Sequence, residues 1–302
     1  TAHNAFQWLA AWTFPIWLVL LLRQINVKAD FTWLGLVVPP LAYLGLARWL
    51  RKFDHAYTFP LDSSAQFYAV ISLLISAPLT ISHLAGNFLL SENKTSLLAF
   101  VILQAIAVIF YAASAWHFSQ RRFAHVASWL SFFPYTLAWI IYDPSLATFK
   151  FALPWLGLSA ILLIIGFALD KNKVRYSHGP YLVGYFLAIF ALAWSGLDQL
   201  TNIYVLAGTI ILALASYLVV HFGRHQSFED FVDKFWKNTS ETTQQVVSTI
   251  FLFFASYAAP VFLAQVLTHL KLDLAVRGVA LAIAAPLFVA IGLAVRNTKS
   301  RS

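Results

Sequence analysis

The sequence contains no cysteine and no methionine, and only 11% of its 302 residues are charged. Without cysteine there is no disulfide framework, no thiolate metal site and no thiol nucleophile, so the redox compartment leaves no mark on the chain. So low a charged fraction excludes an ordinary soluble domain, in which about a quarter of the residues carry charge. Glycine is also scarce, at 12 residues, which leaves few small residues for helix faces that slide past one another in a moving carrier. Conventional enzyme signatures are missing too. No P-loop, dinucleotide fingerprint, G-x-S-x-G turn or H-E-x-x-H helix occurs, so no catalytic residue and no metal ligand set is assigned. The chain begins at Thr1 without a signal-peptide pattern, and the expectation is a processed chain or a piece of a larger protein.

What is present is apolar. Hydrophobic residues make up 60% of the chain and the mean hydropathy is +0.73. Uninterrupted runs long enough for a hydrocarbon layer of about 30 Å fall near 5–22, 31–49, 66–86, 96–117, 123–142, 148–169, 180–196, 200–222, 244–269 and 273–295. The alternation of a membrane β-barrel is missing. The expected fold class is therefore all-α: a polytopic transmembrane helix bundle of about ten spans.

Most of the 20 lysines and arginines, among them Arg48, Arg51, Lys52, Arg121, Arg122, Lys171 and Arg224, fall in the connections on the N-terminal side. The positive-inside rule then puts both termini in the cytoplasm, in a membrane of the bacterial inner-membrane type. The net charge of +8 describes a basic rim facing anionic lipid headgroups rather than a nucleic-acid site.

One motif recurs along the chain. Pro15, Pro134 and Pro260 each sit in an apolar run, and Gly45, Gly166 and Gly292 follow them at nearly constant spacing. Pro60 and Pro180 lie about 120 residues apart, as do Pro15 and Pro134. The expected unit is four helices, repeated in parallel because an even number of spans restores the orientation. Residues 1–52 form half a unit, and 53–171 and 172–302 form two whole ones.

The last unit carries an insertion with Phe228, Phe231, Phe235 and Trp236 on one face of a short helix near 228–237. Its expected place is the cytoplasmic interface, beside Arg121 and Arg122.

Few residues in the spans could support chemistry. Pro15, Pro134 and Pro260 each deprive the carbonyl four residues earlier (Ala11, Leu130, Ser256) of its donor, so each break should face protein or border a cavity. All twelve acidic residues fall in expected loops or helix ends, which argues against an ion-coupled carrier. Gln104, deep in a span, reads as an interhelical hydrogen bond. His117, His125 and His221 lie at the basic ends of the spans and are the candidate ligands should a haem or pigment bind.

The leading expectation is a non-enzymatic membrane scaffold or anchoring domain within a larger protein or complex, in contact with lipids and protein partners. A carrier for a lipid or apolar small molecule is the first alternative, and a haem- or pigment-binding subunit the second.

Overall fold

A computed structural model describes residues 2–52, 58–89, 94–144, 146, 148–171, 176–222 and 240–299. Every regular element among them is helical. In chain order these are α1 (Ala2–Gln24), α2 (Ala29–Thr32), α3 (Leu34–Leu50), α4 (Thr58–Leu89), α5 (Lys94–Phe118), α6 (Arg121–Leu130) and α7 (Phe132–Tyr142). A 3-10 turn (Thr148–Phe151) leads into α8 (Ala152–Lys171), followed by α9 (His178–Ser195), α10 (Gln199–Phe222), α11 (Ser240–His269) and α12 (Leu274–Lys299).

Helix covers all ten segments that the hydropathy marks. Among the described residues six stretches are long and apolar enough to cross a membrane: Phe6–Gln24, Leu97–Phe118, Arg121–Tyr142, Thr148–Asp170, Gln199–Val219 and Thr249–His269. Leu34–Leu50 and Leu274–Pro286 are shorter apolar helices. Helix surfaces agree with this: Ile164 and Ile211 within those stretches, and Leu74 and Ile189 on α4 and α9, are each about two-thirds exposed. A water-soluble chain does not leave so much branched aliphatic surface uncovered, so the helices point to a membrane protein. The expected interfacial helix near 228–237 lies outside the described residues.

The helix ends follow local chemistry. At the end of α1 the Val27 amide bonds to the Leu22 carbonyl and the Asn26 amide to Arg23. Asn26 sits at φ 58°, the left-handed position that asparagine tolerates and that closes a helix in this bonding pattern. The same pair of bonds, from Leu272 to Leu267 and from Lys271 to Thr268, ends α11. Asp198 opens α10 by accepting from the Thr201 amide at 2.8 Å and its hydroxyl at 2.6 Å, which satisfies an amide the helix itself cannot. Those two bonds hold the Asp198 carboxyl below the usual aspartate range, helped by the charges of Lys150 and His269.

The chain divides into two compact units, Thr1–Thr148 with Leu162–Val183, and Phe149–Ile161 with Gly184–Ser302. In the first, a core cluster unites Ala11 of α1, Tyr43 and Leu44 of α3, Ala65 and Ala69 of α4, Phe110 and Tyr111 of α5 and Ala127 of α6. Helices α1 and α3 run antiparallel in a register fixed at two points. Tyr43 donates its hydroxyl to the Ala11 carbonyl at 2.9 Å. Eight residues back on α3 and eight forward on α1, Gly35 meets Val19 so closely that a Cβ would lie 2.8 Å from its side chain. Only glycine fits there.

The Ala11 carbonyl is the group that Pro15 leaves without a donor, so the hydroxyl of a neighbouring helix fills the gap a proline opens. Tyr68 of α4 donates to the adjacent Trp12 carbonyl, tying a third helix to the same break. Pro15 is itself fully buried. At Pro134 the helix is interrupted at Ser131, which keeps helical dihedrals (φ −60°, ψ −23°) and accepts from the Tyr135 amide at 3.3 Å, as an amide missing at position 134 and a Leu130 carbonyl without its helical donor would produce. At Pro260, inside α11, the Ser256 hydroxyl bonds back to the Leu252 carbonyl.

In the second unit, Ser159 donates to the Gly184 carbonyl at 2.7 Å and Tyr185 to the Ser216 hydroxyl at 3.0 Å. Trp155 packs against Phe190 and Trp194. Gly208 sits where a Cβ would meet the Leu156 side chain at 2.4 Å, so α10 approaches α8 closely. The recurring glycines have unlike surroundings. Gly166 is pressed against the Tyr181 ring, whereas Gly45 has nothing within 4 Å.

Candidate functional site

The densest polar constellation lies where α3 ends and α4 begins. Arg51 follows the last residue of α3, and Asp62 is one turn into α4, only 9% exposed. The Arg51 Nη2 donates to Asp62 Oδ2 at 2.9 Å. His117, in the last turn of α5, places its Nε2 3.0 Å from Asp62 Oδ1. An ionised carboxylate only accepts, so Nε2 carries the proton in this pairing. Both oxygens of Asp62 are thus engaged, each by a different helix.

Asp62 stands at a helix end, as expected, yet it is buried. Burying a carboxylate is costly unless it is paired and hydrogen-bonded, and here one cation and one imidazole do both. The arginines are held as well: Arg48 lies 3.4 Å above the Trp116 ring, a stacking that suits the planar guanidinium.

From this end a ladder of polar pairs runs along the α4–α5 interface. Four residues on from Asp62, Gln66 donates to the Ser114 hydroxyl at 3.2 Å. Ten further on, with ten back along α5, Gln104 donates to the Ser76 hydroxyl at 3.0 Å. Gln104 is 1% exposed, and its interhelical bond is the one expected from its depth. At 1.5 Å per residue the ladder covers about 21 Å of helix. Beside its far end is a void of about 10 Å³ bordered by Trp33, Val37, Ser72, Ser76, Phe100 and Leu103, room for one water molecule. Beside its near end is an open cleft of about 630 Å³ between Arg51, Phe59, Asp62, Ser63, Gln66 and Phe118.

A second polar pair joins α6 to α9. His178 Nδ1 and His125 Nε2 are 3.0 Å apart, with rings in edge contact. One nitrogen must donate and the other accept, so the bond persists only while at most one ring is doubly protonated. The neighbour of His178 explains how it gets there. A Cβ on Gly179 would lie 2.9 Å from the Ala124 carbonyl, so glycine lets α9 start against the backbone of α6.

The structure therefore separates the three candidate histidines. His117 has Asp62 as partner and His125 has His178, which uses the Nε2 of each. The side chain of His221 lies outside the described residues, as do Phe228, Phe231, Phe235 and Trp236. Arg121 and Arg122 stand in the first turn of α6, with Arg122 exposed. Among the described residues no group of three or more His, Asp or Glu is placed to hold a metal ion.

Sequence reasoning missed Asp62, Gln66 and His178. The signal for the first two was available: Asp62 and Gln66 are spaced four apart, and Ser114 and His117 three apart, on consecutive helices. Such spacing puts each pair on one face. No family model matches the chain, and neither curated proteins nor solved structures match it.

Proposed function

We propose that the chain is a non-enzymatic integral membrane scaffold or anchoring domain, part of a larger protein or complex, whose helices associate through aromatic and aliphatic faces. One observation carries this reading: the Ala11 carbonyl, Gln104 and Asp62 each have a partner on a neighbouring helix, although the Ser64 Oγ and Gln265 Oε1 are buried without one. The carbonyl freed by Pro15 is taken by Tyr43, Gln104 is engaged with Ser76, and Asp62 with Arg51 and His117. A carrier needs an internal site of about 300 Å³ or more for a drug-sized molecule. The void beside Ser76 holds only about 10 Å³, and the larger cleft of about 630 Å³ beside Asp62 is open and lies at the helix ends, which supports a packed middle of the bundle.

In the same proposal the membrane is of the bacterial inner type, the chain crosses it about ten times, and both termini are cytoplasmic. Residues 53–171 and 172–302 are parallel four-helix units, preceded by a half unit at 1–52. Superposing the two units in an experimental structure determined in lipid tests the repeat, and halves of opposite direction would remove it.

Function is tested by reconstitution. Vesicles containing the purified protein should move a fluorescent phospholipid across the bilayer no faster than protein-free vesicles, and should show no haem or pigment absorption band. Accelerated movement would replace the scaffold by the lipid carrier. A visible band lost on substituting His117 and His221 would replace it by the cofactor-binding subunit.

A further inference from the structure

The open cleft at the near end of the ladder has a polar floor and an apolar exit. Asp62, Ser63 and Gln66 contribute from α4, Arg51 stands on one side, and Phe59 and Phe118 form walls. The local charge is positive: Arg51 lines the cleft beside Asp62, Arg48 is near enough to act on His117, and Lys52 follows Arg51 in the chain. Arg51 spends one amino group on Asp62, and its side chain is 36% exposed. The remaining N–H groups of a guanidinium form a planar fork that suits a phosphate.

A second observation concerns what lies beyond the cleft. Phe59, 66% exposed, touches Trp8 edge-on with ring centres 5.9 Å apart. Trp8 contacts Trp12 at 6.4 Å, and Trp12 stacks on Phe67 at 4.4 Å. Trp12 and Phe67 are each about 40% exposed. Helices α1 and α4 thus carry an unbroken aromatic rail that starts at the cleft and runs into the apolar part of both. From Phe59 to Phe67 it covers about 12 Å of helix. A polar, cationic pocket that continues into an exposed aromatic strip matches a molecule with a phosphate head and a hydrocarbon tail.

We propose that this cleft and rail form a binding site for an anionic phospholipid, with Arg51 holding the phosphate and one acyl chain lying along Phe59, Trp8, Trp12 and Phe67. The site rests on the membrane placement proposed above, and not on the scaffold function. Phosphate chemistry alone does not separate a lipid headgroup from a free phosphate ester, and the rail decides for the lipid. A tail-less ester would gain the Arg51 contact but none of the aromatic surface.

The experiment uses full-length protein in nanodiscs, with a phosphatidylglycerol carrying a photoreactive group in mid-chain. Crosslinks should concentrate on the peptides containing Trp8–Trp12 and Phe59–Phe67, and excess phosphatidylglycerol should displace the probe while phosphatidylcholine and glycerol phosphate should not. Arg51→Gln should lower crosslinking about tenfold. Asp62→Asn removes the competing negative charge and keeps the shape, so it should raise crosslinking about threefold or more. A purely structural role for the ion pair predicts a loss for both variants. Trp8→Ala with Phe59→Ala, both changes near the surface, should lower crosslinking without altering the melting temperature.

Equal displacement by phosphatidylcholine, crosslinks spread over the other helices, or parallel losses in Arg51→Gln and Asp62→Asn would overturn the site. Displacement by glycerol phosphate alone would overturn the lipid and leave a phosphate-ester pocket. Flotation of the protein with vesicles checks the membrane placement separately.

Discussion

Replacing Tyr43 by phenylalanine removes one oxygen from the unit that joins α1, α3 and α4. The loss falls on the Ala11 carbonyl, which Tyr43 reaches at 2.9 Å and which has no helical donor because residue 15 is proline. Interhelical hydrogen bonds in membranes contribute about 0.6 kcal/mol on average and about 1.7 at most. Leaving a buried carbonyl without any partner costs about 1–3 kcal/mol.

Since no amide can move in to replace the hydroxyl, Tyr43→Phe should fall in the overlap of these ranges, at about 1.5 kcal/mol. The folded-to-unfolded ratio would change roughly tenfold. Pro15→Ala supplies an amide at position 15 and restores the ordinary bond, so Tyr43→Phe in that background should cost only about 0.5 kcal/mol. The coupling in the double-mutant cycle is therefore about 1 kcal/mol. Tyr68→Phe serves as a control, because Trp12 keeps the amide of Ile16 four residues on and should lose less. Reversible unfolding in mixed micelles, followed by helical circular dichroism, measures all four states. Equal costs of Tyr43→Phe in the proline and alanine backgrounds would refute the idea that the tyrosine serves the break.

Four further substitutions probe other contacts. Gly179→Ala should destabilise by about 1–3 kcal/mol, because its Cβ would press on the Ala124 backbone. Gly45→Ala, with nothing within 4 Å, should be neutral or gain up to about 1 kcal/mol of helix propensity; thermal unfolding of both variants checks the contrast. His117→Ala takes one donor from the buried Asp62 carboxylate and should cost about 1.5–3 kcal/mol, seen as a lower unfolding midpoint. Asp198 has its pKa held below the usual aspartate value by its bonds from Thr201. Its contribution is present above that value and fades as pH falls through the lower, folded one. The melting gap between wild type and Asp198→Asn should therefore narrow in acid, and a gap that stays constant with pH would contradict the capping role.

Helix placement was legible in the sequence because hydrocarbon-length apolar runs have few alternatives, and the described helices cover every such run. The need for a partner at Ala11 was legible too, since a missing amide is a local fact of Pro15. Its supplier was not. Tyr43 lies 32 residues away, and nothing in a uniformly apolar helix says which face meets which neighbour. The same blindness hid Asp62. One turn inside α4 it looks like a solvated helix end, and only the return of α5 puts His117 against it. His178 needed the closeness that Gly179 permits, and a glycine beside a histidine at a helix start does not name the backbone it will touch. The interruption at Ser131 was legible as well, because the amide that Pro134 lacks is the one that would close the turn there.

Whether these helices cross a bilayer in alternating directions is decided by labelling. The chain has no cysteine, so single cysteines can be introduced without removing any. Cysteine at Lys52 or Gln120 should react with an impermeant maleimide from one side of sealed vesicles. Cysteine at Gln24, Leu197 or Leu270 should react only from the other. Labelling of all five positions from the same side would contradict the transmembrane account.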